Sequence, residues 1–407
     1  MSNKVKLASA IFHPLFLIAA PWGLAIFLYT LKWSALAYIP ITKGGILFFS
    51  IFAPFTGITL LLTLAPRRKL NYSTNPLAKI NSYHRVKSVA RFFLIVWLFA
   101  TAVEIIYSKG VPIFWYAFHT GKTYADFGIP SIHGLLNSLI SATCLLYFFL
   151  YIKTRFRNYL LRSMLIFAWG AVAVTRELMM VSALEFLVLY MLLNGVTIQQ
   201  VFKFLALTLV SAFLFGLMGS FRTGNEKFIE LALPTAAFPR WMPTTALWIY
   251  IYIITPLLNL LYTTLHNPGG NNIFPVNTLA MLFPTVIRDN LFHMTTRIQG
   301  LLVSQAFNVS TAFPGAYLDA GYVGIATLSA SISFLTTIFW AKRTGFGVLI
   351  YSILAQCLIL SIFFNQFFYL PDIFQIAWLI PIRRHLTVMH HNRASQNATD
   401  IDGTMHN

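Results

Sequence analysis

The sequence predicts an all-α protein: a polytopic transmembrane bundle of about ten spans, with one long segment folded onto one end. Three observations predict it. The 407 residues are 57% hydrophobic and only 10% charged, with a mean hydropathy of +0.70, whereas a soluble domain carries about 25% charged residues. Apolar runs of roughly spanning length recur along the chain. The formal charge of +18 comes from Lys and Arg in short clusters between those runs. That is the pattern of the positive-inside rule, not the one-faced basic surface of a nucleic-acid binder.

The candidate spans are 11–31, 42–65, 92–108, 132–152, 160–175, 178–194, 204–219, 323–341, 347–367 and 369–382. The start, "MSNKVKLASAIFHPLFLIAA", has the basic head and apolar core of a signal peptide, but with so many spans behind it an uncleaved first helix is expected. With the N-terminus inside, 19 of the 29 Lys+Arg fall in the inner loops, seven of them in 66–91 and four in 153–162. The short outer loops hold Lys32, Lys43, Lys109, Lys122 and Arg176, and both chain ends lie inside.

The expected organisation is an N-terminal bundle over 1–219, a long outer segment over 220–322, C-terminal helices over 323–384 and a polar tail over 385–407. Within the outer segment, "TALWIYIYIITPLLNLLYTTL" (245–265) is apolar enough to span, yet a crossing there would invert the basic "AKRTG" and "PIRRH" ends. It is therefore expected to be re-entrant or interfacial and broken at Pro256. Such backbone is tolerated at membrane depth only when buried in protein or lining a cavity. Cys144 and Cys357 lie in apolar runs and form no metal motif.

Ionisable groups at membrane depth cost about 2.5–3.5 kcal/mol each on insertion scales, so each one present needs a reason. Arg176 and Glu177 sit where two helices meet, and Glu185 follows Glu177 by eight residues, on roughly the same helical face. Their plain alternatives are an exposed hairpin tip and a paired structural acid. "GSFRTG" places Arg222 beyond a helix end, where an anchoring arginine is common. In "RDNLFHMTTR", next to Arg288, residues Asp289, His293 and Arg297 recur every four positions, so a helix would put them on one face with the carboxylate orienting the imidazole. An amphipathic surface helix has the same spacing. "SQAFNVSTAFPGAYLDAGYVG" (304–324) concentrates Asn308, Thr311, Tyr317 and Asp319 before an apolar run, which a turn and helix cap would also explain.

No Walker loop, HExxH, GxSxG, CxxC or DxD pattern is present, so nucleotide use and metal hydrolysis are poorly supported and no cofactor is expected. Clustered arginines suit phosphate through their rigid fork and stabilise a pyrophosphate leaving group without a metal. A lipid-tailed pyrophosphate suits both halves of such a protein.

Over about 90–380 the chain resembles the Wzy-type O-antigen and oligosaccharide repeat-unit polymerases of Gram-negative inner membranes. The likeness rests on "YADFGIPSIHGL", "TRELMMVSALEFLVLY", "GSFRTG", "YIITPLLNL", and "FNVST" followed by "YLDAGYVG". The chain has no clear pair of that family's Arg–Gly loops and no His-Asn motif of the related ligases. The resemblance implies a metal-independent glycosyltransferase working at the periplasmic face. It would move a growing glycan from undecaprenyl pyrophosphate to the terminal sugar of the next lipid-linked unit, with a chain-length-regulating membrane protein as a further partner. In that scheme Arg176, Arg222, Arg288 and Arg297 hold the pyrophosphate. His293 is the base with Asp289 orienting it, Asp319 competes for that role, and Glu177 and Glu185 stand next. Asn308, Thr311 and Tyr317 bind sugar hydroxyls. A flippase for the same lipid and an O-antigen ligase are the alternatives.

Overall fold

The computed structural model describes residues 3–64, 76–206, 208, 213, 225–272, 274–293, 300–342 and 344–388. Among these the regular structure is all helical, the only bridge being the isolated pair Ser34–Pro234. Six helices are long and apolar enough to cross a membrane, and Pro14–Thr30 and Gly345–Leu360 are shorter apolar helices. Large apolar side chains face outward along two of the long ones, including Phe49, Leu61, Phe99 and Ile106. Such a surface suits a bilayer.

In chain order the N-terminal helices are α1 (Asn3–Ile11), α2 (Pro14–Thr30), α3 (Gly44–Leu64), α4 (Pro76–Ser108), α5 (Pro112–Ala117), α6 (Ile132–Thr154), α7 (Arg157–Val172) and α8 (Arg176–Asn194). Then come α9 (Asn225–Ala232), α10 (Thr244–His266), α11 (Val276–Leu279) and α12 (Thr285–Phe292). The last group is α13 (Pro314–Ala341), α14 (Gly345–Leu360), α15 (Leu370–Leu379) and α16 (Arg383–Val388).

Side-chain hydrogen bonds show which helix ends lie together. Helices α3 and α13 run parallel and in step: Ser329 donates to the Ile51 carbonyl, Ser333 to the Phe55 carbonyl at 2.7 Å, and Thr337 to Thr59 Oγ1 at 3.3 Å. Four residues on one helix match four on the other, so Leu64 and Ala341 reach the same end, called here the foot. Gly345 packs between Phe149 and Leu386, which brings the end of α6, the start of α14 and α16 to the foot as well. Among the described residues, the basic Arg85, Arg155, Lys342 and Arg383 thus lie toward one end.

The opposite end, the head, carries the described residues between 225 and 303. Ser34 and Thr235 tie the loop after α2 to the chain after α9, through Ser34 Oγ to the Ala232 carbonyl and Thr235 Oγ1 to the Lys32 carbonyl, both at 2.6 Å. The expected span 369–382 is only ten residues of helix plus a turn at Ile380–Ile382 that holds Pro381, yet it does not turn back. Leu370 packs beside Gly134 at the head and Leu386 beside Gly345 at the foot, so α15 and α16 together make the pass. The expected span 204–219 lies largely outside the described residues. Gly195, after α8, is at the foot and Asn225 at the head.

One expectation is corrected. Helix α10 is not broken at Pro256 but runs unbroken through it for 23 residues. Proline removes one backbone donor, and dense burial of its surroundings from Ile254 to Leu261 holds the helix together. Both of its ends meet the head: Tyr250 Oη accepts from Trp33 N at 3.1 Å, and the Asn267 carbonyl beyond its last turn accepts from Tyr317 Oη at 2.8 Å. Helix α10 therefore lies across the head although its length would allow a crossing.

Candidate functional site: a head-end cleft built on a folded-back helix

Helix α13 is two pieces. Its backbone leaves helical geometry at Ala320 (φ −146°, ψ 32°) and Gly321 (φ 57°, ψ −142°), the latter a left-handed φ that favours glycine. The short piece folds back on the long one so closely that a Cβ on Gly324 would sit 2.0 Å from the Ala316 carbonyl oxygen. As a result Phe313, at the start of the short piece, lies deep in the bundle. It meets Trp22, which also touches Phe52 and donates to Ser361 Oγ at 3.1 Å. The stretch 304–313 descends from the head to that depth, and the Ala312 N–H closes on the Ser361 carbonyl at 2.8 Å.

Helix α10 supports this descent. Buried Asn259 donates to the carbonyls of Phe307 and Val309 at 3.1 and 2.8 Å and accepts from Val303 N at 2.8 Å. Thr263 Oγ1 accepts from Leu301 N at 2.8 Å. Irregular backbone buried in the bundle thus finds partners in protein, as it must.

Between the descending stretch, α11 and the loop after α14 is a cleft of about 670 Å³, counting its open mouth. Its polar lining is Asn277, Thr278, Asn308, Ser310, Thr311 and Asn365; its aromatic lining is Phe363, Phe364 and Phe368. Among the described residues no charged side chain lines it. Ser310 Oγ is buried with no hydrogen-bond partner, whereas buried hydroxyls are nearly always paired. The cleft therefore offers amides and a spare hydroxyl beside flat apolar rings.

Of the three residues expected to bind sugar, Asn308 and Thr311 line the cleft. Tyr317 does not; it is buried, with its hydroxyl spent on the Asn267 carbonyl. Asp319 is also corrected. Its carboxylate is buried and accepts four bonds at 2.7–2.8 Å, from Asn277 N and Nδ2 and from Thr278 N and Oγ1. It clamps α11 to the fold-back, with Asn277 and Thr278 between it and the cleft.

The Asp289–His293 pairing is not formed. Helix α12 ends at Phe292, and His293 is its exposed C-cap with φ 53°, so the four-residue spacing no longer places the two on one helical face. Asp289 pairs instead with its neighbour, Oδ1 lying 3.9 Å from Arg288 Nε. Arg288 is buried and donates to Met281 Sδ at 3.2 Å, and Met281 lines the cleft. Arg222 and Arg297 lie outside the described residues, as does the Arg176 side chain; Glu177 is in the first turn of α8. Glu185 does not line the cleft; it is buried against Gln375.

A carboxylate–imidazole pair does exist, elsewhere at the head. Buried Glu104 places both oxygens 3.1–3.2 Å from His133 Nδ1, and His133 Nε2 lies 3.0 Å from Asn137 Nδ2. The sequence marked His133 within "YADFGIPSIHGL" but gave it no role. The available signal was Glu104, a lone acid in the apolar run of α4. The Ile129 N–H also donates to Glu104, so the pair pins the loop before α6. In that loop Thr123 donates twice to exposed Asp126 and holds its carboxyl below the usual range.

No family model matches this chain. Nor does any curated protein or solved structure.

Proposed function

We propose that this protein is a repeat-unit polymerase of the Wzy type, joining lipid-linked oligosaccharides at the head end of the bundle. The observation that carries the reading is the cleft's lining. Planar amides present donor and acceptor side by side to vicinal hydroxyls, and phenylalanine faces cover the apolar face of a pyranose. A pocket of that chemistry, opened in a bundle with a bilayer-compatible surface, suits a sugar delivered on a lipid.

The acceptor's terminal sugar occupies the cleft, its hydroxyls on Asn308, Ser310, Thr311 and Asn365. Buried Arg288, one contact away through Met281, meets the donor's pyrophosphate and stabilises it as it leaves. The acceptor hydroxyl attacks the anomeric carbon, the bond to pyrophosphate breaks, and the hydroxyl proton passes to a carboxylate or imidazole. Among the described residues Asp289, 39% exposed and beside Arg288, is better placed than Asp319. His293, the exposed residue that ends α12, is the other candidate. The head faces the periplasm and both ends lie inside, as the charges favour.

The test uses membranes supplied with a lipid-linked single repeat unit. Arg288→Ala should abolish polymer at normal protein levels, and Arg288→Lys should rescue poorly because the fork is lost. Cells lacking the protein should display surface glycan one repeat long. Core without any glycan would mean a ligase, and intermediate stranded on the cytoplasmic side a flippase.

A further inference from the structure

A second cavity opens at the foot, and the polymerase reading does not use it. It measures about 850 Å³, counting its open mouth, between the end of α6, the end of α8 and the helix over 198–206. Arg155 and Lys203 line it, and among the described residues no carboxylate does. The sequence around both cations is empty of acids: none occurs between Asp126 and Glu177, or between Glu185 and Glu226. Two positive charges therefore share one space with nothing to neutralise them.

Two amides of the lining spend their oxygens on neighbours. Asn194 Oδ1 accepts from Arg155 Nη2 at 3.0 Å, and Gln200 Oε1 accepts from Thr197 N and Oγ1 at 2.9 and 3.2 Å. Gln199 and the Tyr190 hydroxyl can donate or accept. What remains is mostly donors: the other N–H groups of the Arg155 fork, the Lys203 ammonium and the Gln200 amide N–H groups. Arg155 also occupies an unusual place. It caps α6 with φ 59°, a left-handed backbone that favours glycine. The cap and the Asn194 contact hold its guanidinium at the cavity wall.

We propose that this cavity binds a phosphate monoester, carried by a membrane lipid headgroup or by a free phosphate compound. Such a group brings a charge of about −1.5 to −2 at neutral pH and three acceptor oxygens, which matches two cations and a donor-rich wall. The Arg155 fork meets two phosphate oxygens side by side, and Lys203 adds a point charge from the helix over 198–206. The setting favours the lipid. Phe156 and Phe202, each next to a lining cation in sequence, are 55% and 64% exposed, and Ile198 is 58% exposed. Large apolar side chains beside cations at the end of a bundle suit the headgroup level of a bilayer.

The experiment follows binding of phosphatidic acid, phosphatidylglycerol, phosphatidylcholine and inorganic phosphate to the purified full-length protein in neutral detergent, at one ionic strength. Phosphatidic acid should bind more tightly than phosphatidylglycerol, whose diester carries a single charge, and phosphatidylcholine should not bind. Inorganic phosphate binding as tightly as phosphatidic acid assigns the site to a soluble phosphate; far weaker binding assigns it to lipid. Arg155→Gly and Lys203→Gln should each weaken binding by about tenfold or more, as loss of a charge-assisted contact does. Arg155→Gly relieves the left-handed backbone, so without ligand its unfolding temperature should match or exceed that of the wild type. Its loss of binding then reads the guanidinium and not the fold. Failure of both phosphatidic acid and inorganic phosphate to bind the wild type would overturn the proposal. So would equally tight binding of phosphatidylglycerol, or phosphatidic acid binding that survives both substitutions. None of these readouts involves glycan synthesis, so they stand apart from the polymerase reading.

Discussion

The seam between α3 and α13 and the cleft above it are both polar places inside an apolar bundle, and they differ in whether the polar groups are used. In the seam, Thr59, Ser329, Ser333 and Thr337 are buried, and each hydroxyl bonds across to the other helix, to a backbone carbonyl or another hydroxyl. Small hydroxyl residues let two helices approach and join them, which is packing chemistry. In the cleft, Ser310 Oγ has no partner and Asn308 is exposed at the mouth. Polar groups in a membrane bundle are thus not all alike. Satisfied ones hold helices together, and the unsatisfied Ser310 hydroxyl in the cleft wall is the one that the proposed acceptor site would use.

Asp319 tests that division most severely, because the sequence placed it with the cleft and its hydrogen bonds place it with the satisfied groups. Asp319→Ala strands two backbone N–H groups and two side-chain donors, and leaving buried donors unpaired costs about 1–3 kcal/mol each. We expect stability to fall by at least about 3 kcal/mol, read as a large drop in unfolding temperature and in folded yield. Asp319→Asn should also lose stability, since an amide cannot accept all four bonds. If Asp319→Asn kept the wild-type unfolding temperature while polymer synthesis stopped, the carboxylate would be acting on substrate.

The confusion over Asp319 shows what the sequence can and cannot carry. Hydropathy made the all-helical, membrane-compatible character legible, because apolar burial is a local property of a segment. The concentration of polar residues in 304–324 marked the cleft for the same reason. The roles of Tyr317 and Asp319 were not legible, because they depend on partners at Asn267, Asn277 and Thr278, more than forty residues away. The Asp289–His293 face failed through a local cause, a helix ending one residue before the histidine. Glu104 and His133 are separated by a whole loop, and no spacing rule joins them.

The seam gives the next largest effect. Ser333→Ala removes a donor to the Phe55 carbonyl and a partner of Thr59, and should cost about 1 kcal/mol of stability. Polymer made per folded molecule should not change. Ser310→Ala should behave oppositely: with no partner to lose, its unfolding temperature should hold or rise. Acceptor binding should weaken by about 2–10-fold, the value of one hydrogen bond, visible as a higher acceptor concentration for half-maximal rate. Equal acceptor dependence in Ser310→Ala and wild type would remove the orphaned hydroxyl from the ligand site and blur the distinction between seam and cleft.

The smallest effect is expected at His293, where fold and function pull in different directions. Its φ of 53° is left-handed, a conformation that costs a non-glycine residue about 1 kcal/mol, and glycine is the usual residue at such a helix end. His293→Gly should therefore leave stability unchanged or raise it by up to about 1 kcal/mol, measured by thermal unfolding. The imidazole is exposed, so no packing is lost with it. Polymer synthesis then reads chemistry without interference from folding. If His293 is the base that accepts the acceptor proton, the maximal rate should collapse in His293→Gly while acceptor binding persists, and added imidazole should restore part of it. If the rate is kept, Asp289 holds the proton. Asp289→Asn should then lower the maximal rate at unchanged acceptor affinity, which would place the chemistry beside Arg288 and leave His293 as a helix cap.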